Sequence, residues 1–123
     1  MSNHRHYDRL AGKVALVTGA GSQGEGIGTG KAISGVFARE GARVCLVDRE
    51  PARAAATARM IQDAGGESII VSADVTDEAS CATAVHATLS RWGQLDVLVN
   101  NLGVGGGGGP LSQLGPAEFD RLL

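Results

Sequence analysis

Lys13-Val14-Ala15-Leu16-Val17-Thr18-Gly19-Ala20-Gly21-Ser22-Gln23-Gly24-Glu25-Gly26-Ile27-Gly28-Thr29-Gly30 decides how this 123-residue chain is read. Its opening, residues 13–18, is a short and nearly continuous apolar run, the pattern of a strand buried on both faces. Glycines follow, and after them Ile33, Val36 and Phe37 recur at helical spacing, up to Gly41, which stands where a left-handed cap needs a residue without a Cβ. A strand, a glycine-rich turn and a helix in that order bring backbone N–H groups and a closely approaching main chain to one spot. That spot suits a pyrophosphate.

The same alternation continues outward. Arg43 to Asp48 repeats the buried-strand pattern, Pro51 opens an alanine-rich helix running to Gly65-Gly66, and Ser68 to Ser72 reads as a third strand. Asp77 and Glu78 place negative charge in the first turn of a further helix, where the macrodipole favours it. Cys81, Val85, Leu89 and Trp92 form its expected apolar stripe before Gly93, and Leu95 to Asn100 is a fourth strand. This β-α-β-α-β-α-β succession predicts an α/β fold, a Rossmann-type doubly wound parallel sheet of about four strands in the order 3-2-1-4, joined by right-handed crossovers.

At roughly 150 residues per domain the chain holds one domain. Residues 1–10 read as a polar, flexible amino terminus and residues 11–123 as a single dinucleotide-binding domain. Gly103 to Pro110 is a glycine run with high backbone entropy, read as a loop, and Pro116 starts a last helix with Phe119, Leu122 and Leu123 as its apolar positions. Eleven Lys and Arg against 13 Asp and Glu leave a net charge of −2, no field to hold nucleic acid or an anionic membrane. The amino terminus contains no apolar run suited to a signal or a span, so a cytoplasmic protein is expected. Cys45 and Cys81 lack CxxC spacing and are read as buried free thiols; no metal site is expected, and His4 and His6 lie in the polar terminus.

Two registers compete for the phosphate turn. Gly19-x-Gly21-x-x-Gly24 matches a dinucleotide fingerprint literally, whereas Gly26-Ile27-Gly28 lies closer to the helix. An acid should follow the last functional glycine by about 20 residues and accept from the adenosine ribose. Asp48 lies 20 residues after Gly28 and 24 after Gly24, which favours the second register. A carboxylate there accepts from a free 2′-hydroxyl and repels a 2′-phosphate, so NAD is expected over NADP; the adjacent Arg49 is read as a surface residue. A P-loop is excluded, because Glu25 stands where its first glycine belongs and Ala32 where its hydroxyl belongs.

These residues resemble the classical short-chain dehydrogenase/reductase family. The likeness runs from about Leu10 to the end and is carried by Gly12 to Gly19, Gly26-Ile27-Gly28, Asp48, Ala73-Asp74-Val75-Thr76-Asp77 and Asn100-Asn101-Leu102-Gly103. It implies adenine contacts from Asp74 and Val75 and cofactor contacts from Asn100 and Gly103. With Gly19, Ser22, Gly26, Ile27, Gly28 and Asp48 these complete the expected cofactor-binding set. Three extra residues separate Gly19 from Gly26, and Leu102 replaces the customary alanine. The resemblance implies a complete enzyme that moves a hydride between NAD(P) and a small alcohol or carbonyl substrate, as a homo-oligomer.

The family's active-site Ser and Tyr-x-x-x-Lys pair have no counterpart here. The only tyrosine is Tyr7, with Ala11 four residues on, and neither Lys13 nor Lys31 stands in that motif; Ser112 and His86 are read as loop and surface residues. The chain is therefore expected to be an amino-terminal, cofactor-binding portion, cut before the active-site half and with little turnover alone. Two other readings stand beside it: a non-catalytic dinucleotide-binding module, and a Rossmann-type methyltransferase, against which Thr18-Gly19 and Asn100-Asn101 argue.

Overall fold

The computed structural model describes residues 8–21, 28–101, 113, 115–117 and 120. Among the described residues seven regular elements alternate: β1 (Val14–Thr18), α1 (Thr29–Arg39), β2 (Arg43–Asp48), α2 (Pro51–Asp63), β3 (Ser68–Ser72), α3 (Glu78–Trp92) and β4 (Val97–Val99). The strands form one parallel sheet in the order β3-β2-β1-β4. Val17 lies opposite Leu46 on one side and Val99 on the other, while Asp48 pairs with Ser72. The predicted architecture and strand order are those observed. The glycine run and Phe119, Leu122 and Leu123 of the expected last helix fall outside the described residues.

Period-two alternation builds two cores from the central strands. Val17, Val44 and Leu46 pack with Ala38 of α1 and Ala54 and Ile61 of α2 on one face. Leu16, Cys45 and Val47 pack with Ala73 and Ala84 on the other, where Val85 and Trp92 of α3 close the layer. Every residue of β1 is buried, as its continuous apolar run requires of a strand covered on both faces.

The helices turn differently from their large apolar residues. Val36 is 47% exposed and Leu89 41%, although both belong to expected inward stripes. The fully inward positions are Gly30, Ser34 and Ala38 in α1, and Ala84 and Thr88 in α3. Small residues win these places because they let a helix axis lie close to the sheet, and their hydroxyls stay satisfied within the helix. Ser34 Oγ donates to the Gly30 carbonyl at 2.7 Å, and Thr88 Oγ1 to that of Ala84 at 2.9 Å. Cys81 is also only half-buried, its Sγ 3.4 Å from the Val75 carbonyl oxygen, whereas Cys45 is fully buried and burial pushes its thiol pKa up.

β4 is shorter than the apolar run from Leu95 to Asn100. Leu95 turns into the α3-side core, and the carboxylate of Asp96 takes the Val14 N–H at 2.9 Å, where a further strand carbonyl would otherwise sit. At the end of α1 the Glu40 carboxylate accepts from the Arg9 guanidinium at 2.8 Å and the Arg9 N–H at 3.3 Å, and its carbonyl from the Leu10 N–H.

These carboxylates contribute to the acid response. Arg9 holds Glu40 below its ordinary 4.5, and the Val14 N–H, helped by Gln94, holds Asp96 below its ordinary 3.8. Depressed values in the folded state mean that unfolding takes up protons, so stability falls as pH falls. Urea midpoints are expected to be flat above about pH 5 and to drop as acid titrates these groups below about pH 4. A midpoint that rises on acidification would contradict both contacts.

Candidate functional site

From β1 the chain steps outward through β2 to β3, then returns to place β4 on the far side of β1. The carboxyl ends of β1 and β4 therefore flank the point where the winding reverses, the place such sheets leave a ligand crevice. Thr18, the last residue of β1, ties the two strand ends together. Its Oγ1 donates to the Val99 carbonyl at 3.2 Å and accepts from the Asn101 N–H at 2.9 Å. Asn101 Nδ2 in turn donates to the Gly19 carbonyl at 3.3 Å.

Gly19 sits at φ +59°, a left-handed turn that steers the chain off the strand. Opposite it, in the first turn of α1, a Cβ on Gly30 would lie 1.9 Å from the Gly19 oxygen and 2.9 Å from Asn101 Nδ2. Helix, strand end and β4 exit thus meet at a place only glycine fills. The N-cap of α1 is Gly28, which has no side chain to accept from the first turn, and that turn holds no acidic residue. By contrast α3 begins with Asp77, whose carboxylate accepts the Ser80 N–H at 3.2 Å. The two helix starts thus differ: α3 carries its own side-chain acceptor, and α1 has neither a capping side chain nor an acidic residue in its first turn.

Beyond the turn, the half-buried Asp48 ends β2 with one carboxylate oxygen 3.1 Å from the Gly21 N–H and the other 2.9 Å from the Glu50 N–H. A carboxylate has about four acceptor positions, so these two bonds orient it and leave capacity for a donor hydroxyl. Gly21 is pressed against α2: a Cβ there would be 2.5 Å from Arg53 Cβ. Ala73 N–H donates to the Asp48 carbonyl at 3.3 Å, which brings the segment after β3 alongside. Asp74, next in the chain, accepts from the Thr76 hydroxyl and N–H, and these bonds together with the nearby Arg49 charge hold its carboxyl below the ordinary 3.8. Val75 packs on the α3-side core.

Of the expected cofactor-binding set, Gly19, Gly28, Asp48, Asp74, Val75 and Asn100 are described, and Ser22, Gly26, Ile27 and Gly103 lie outside the described residues. The structure gathers Gly19, Gly28 and Asp48 around the carboxyl ends of β1 and β2 and carries Asp74 to the neighbouring strand end. Asn100 is exposed, and Asn101 makes the bonds that bind β4 to the turn. Thr18, Gly30 and Asn101 make these contacts although they are not in the expected set. The first and last stood inside quoted motifs, and Gly30 was the last glycine of the deciding stretch. Among the described residues no group of three or more His, Cys, Asp or Glu is placed to hold a metal ion, and no helix is long and apolar enough to cross a membrane.

The sheet, its switch point and the glycine turn define a dinucleotide-type α/β domain. Residues 13–123 match the family model described as short chain dehydrogenase, and the chain belongs to that family. It is 39% identical over 115 residues to the sorbitol dehydrogenase of Cereibacter sphaeroides, covering 94% of this chain and 41% of that protein. The structure superposes on the 3-ketoacyl-(acyl-carrier-protein) reductase from Brucella melitensis complexed with NADH, with TM-score 0.75 and 44% identity, covering 92% of this chain and 43% of that one. A metagenomic short-chain oxidoreductase in complex with NADP gives TM-score 0.76 at 42% identity, covering 92% and 48%. The chain spans less than half the length of the relatives it matches.

Proposed function

We propose that residues 11–123 form a dinucleotide-binding unit that holds the adenosine and pyrophosphate of NAD, and that the protein as a whole is an NAD-dependent oxidoreductase acting on a small alcohol or carbonyl compound. The observation that carries this reading is the Asp48 carboxylate, oriented by two backbone N–H groups at the end of β2 beside the glycine turn. There it accepts the ribose hydroxyls, while Gly19, Ser22, Gly26, Ile27 and Gly28 bring main-chain N–H groups to the diphosphate. Asp74 and Val75 flank the adenine, and Asn100 and Gly103 contact the cofactor. The nicotinamide ring, when bound, supplies the hydride chemistry. The relatives' names support the substrate class: one acts on a sugar alcohol and another on a keto group.

NAD is preferred over NADP because a 2′-phosphate would bring negative charge against Asp48. In this reading Arg49 faces Asp74 and is not committed to a phosphate; its charge contributes to lowering the Asp74 pKa. The 123 residues hold no Tyr-x-x-x-Lys, so the chain alone binds dinucleotide with little or no turnover; the whole protein is cytoplasmic and a homo-oligomer. A fluorescence titration of the chain is expected to show NADH binding at least about tenfold tighter than NADPH, the discrimination one charge-assisted contact supplies. Equal affinities would remove Asp48 from the ribose, and S-adenosylmethionine binding in place of NADH would replace the oxidoreductase with a methyl transferase.

A further inference from the structure

The Thr57 side chain is completely buried in the second turn of α2, an alanine-rich helix in which a hydroxyl has no packing advantage. Its Oγ1 donates to the Ala20 carbonyl at 2.9 Å, across 37 residues of sequence. That carbonyl belongs to the same peptide unit as the Gly21 N–H, which donates to Asp48 at 3.1 Å. A peptide unit is planar, and in the trans form its oxygen and hydrogen point in opposite directions. The 20–21 peptide is therefore held at both ends, by Thr57 on one side and by Asp48 on the other. The preceding unit is held as well, since Ala20 N–H donates to the Val47 carbonyl at 3.2 Å.

From this geometry we infer that Thr57 is a positioning residue for cofactor selection: by fixing the rotation of the 20–21 peptide it fixes which way the Gly21 N–H points, and so where the Asp48 carboxylate rests. This rests on the reading of Asp48 as the ribose acceptor. Thr57 touches no nucleotide itself. Remove its hydroxyl and the Ala20 carbonyl loses its buried partner, so the peptide is free to rotate toward another donor. Asp48 then loses one of its two tethers and samples positions from which it discriminates less between a 2′-hydroxyl and a 2′-phosphate.

The test compares wild type, Thr57→Val, Thr57→Ser and Asp48→Ala in the 123-residue chain, reading amide hydrogen exchange at Gly21 and the affinities for NADH and NADPH. Wild type is expected to protect the Gly21 amide, and rapid exchange there would overturn the inference whatever the variants do. T57V is expected to speed Gly21 exchange and weaken NADH binding about three- to tenfold, the worth of one buried hydrogen bond, narrowing the preference over NADPH. T57S restores both, because it returns the hydroxyl. A merely structural threonine would lower the melting temperature and weaken both cofactors equally, and that outcome overturns the proposal. An NADH affinity unchanged in D48A would instead overturn the ribose reading on which it stands, while a normal loss in D48A beside an unaltered T57V would sink the role of Thr57 alone.

Discussion

Gly30→Ala is expected to lower the melting temperature by about 10–20 °C and to abolish dinucleotide binding at cofactor concentrations that saturate the wild type. The new methyl would lie 1.9 Å from the Gly19 carbonyl oxygen and 2.9 Å from Asn101 Nδ2, distances no Cβ tolerates. Its first obstacle is main chain, so relief cannot come from a side chain swinging aside. Either α1 lifts from β1 or the turn after Thr18 moves, and each opens the contact on which the site is built. Overpacking of this kind costs about 1–3 kcal/mol, and a backbone collision belongs at the upper end. Each kcal/mol displaces the melting midpoint of a domain of this size by about 3–6 °C. Gly115→Ala supplies the contrast, since a Cβ there meets nothing within 4 Å, and its midpoint should match the wild type. Circular-dichroism melts of the two variants decide the matter: equal midpoints would mean that α1 does not approach the strand end as closely as described.

What the sequence made legible follows from which interactions are local and large. The strands β1 and β2 are apolar runs buried on both faces, and such runs announce themselves without knowledge of their neighbours. The place of Asp48 at the end of β2 was legible, because its distance from Gly28 is fixed by one helix and one strand. The seam between helices and sheet was not, because Gly30, Ser34, Ala38, Ala84 and Thr88 carry little hydrophobic signal and are chosen for how close they let a helix come. Val36 and Leu89 misled for the same reason, being large and apolar yet turned outward. Thr57 carried no signal at all: its partner, the Ala20 carbonyl, belongs to another element, and no pattern within α2 distinguishes it from a surface threonine. Asn100 and Asn101 were separated only by the fold, which gives the second of them the bonds to β1 and the glycine turn.

Asp48→Ala is expected to weaken NADH binding about 10- to 100-fold while leaving NADPH binding unchanged or stronger. Hydrogen bonds to a charged acceptor contribute about 1.5–3 kcal/mol, and each 1.4 kcal/mol is a factor of ten in affinity. The two cofactors respond in opposite directions because the carboxylate acts on them with opposite sign. It accepts from the free 2′-hydroxyl of NADH, and its charge repels the doubly ionised 2′-phosphate of NADPH. Removing it also releases the Gly21 and Glu50 N–H groups, and Glu50 precedes α2 directly. A stability loss of about 1 kcal/mol is therefore expected alongside, of the size seen when a helix start loses its side-chain acceptor. Titrations run well below the melting midpoint separate the two effects, since a small stability loss leaves the folded fraction near unity there. If NADH and NADPH weakened by the same factor, the carboxylate would be holding the turn together without touching the ribose, and the cofactor preference would have to originate elsewhere in the site.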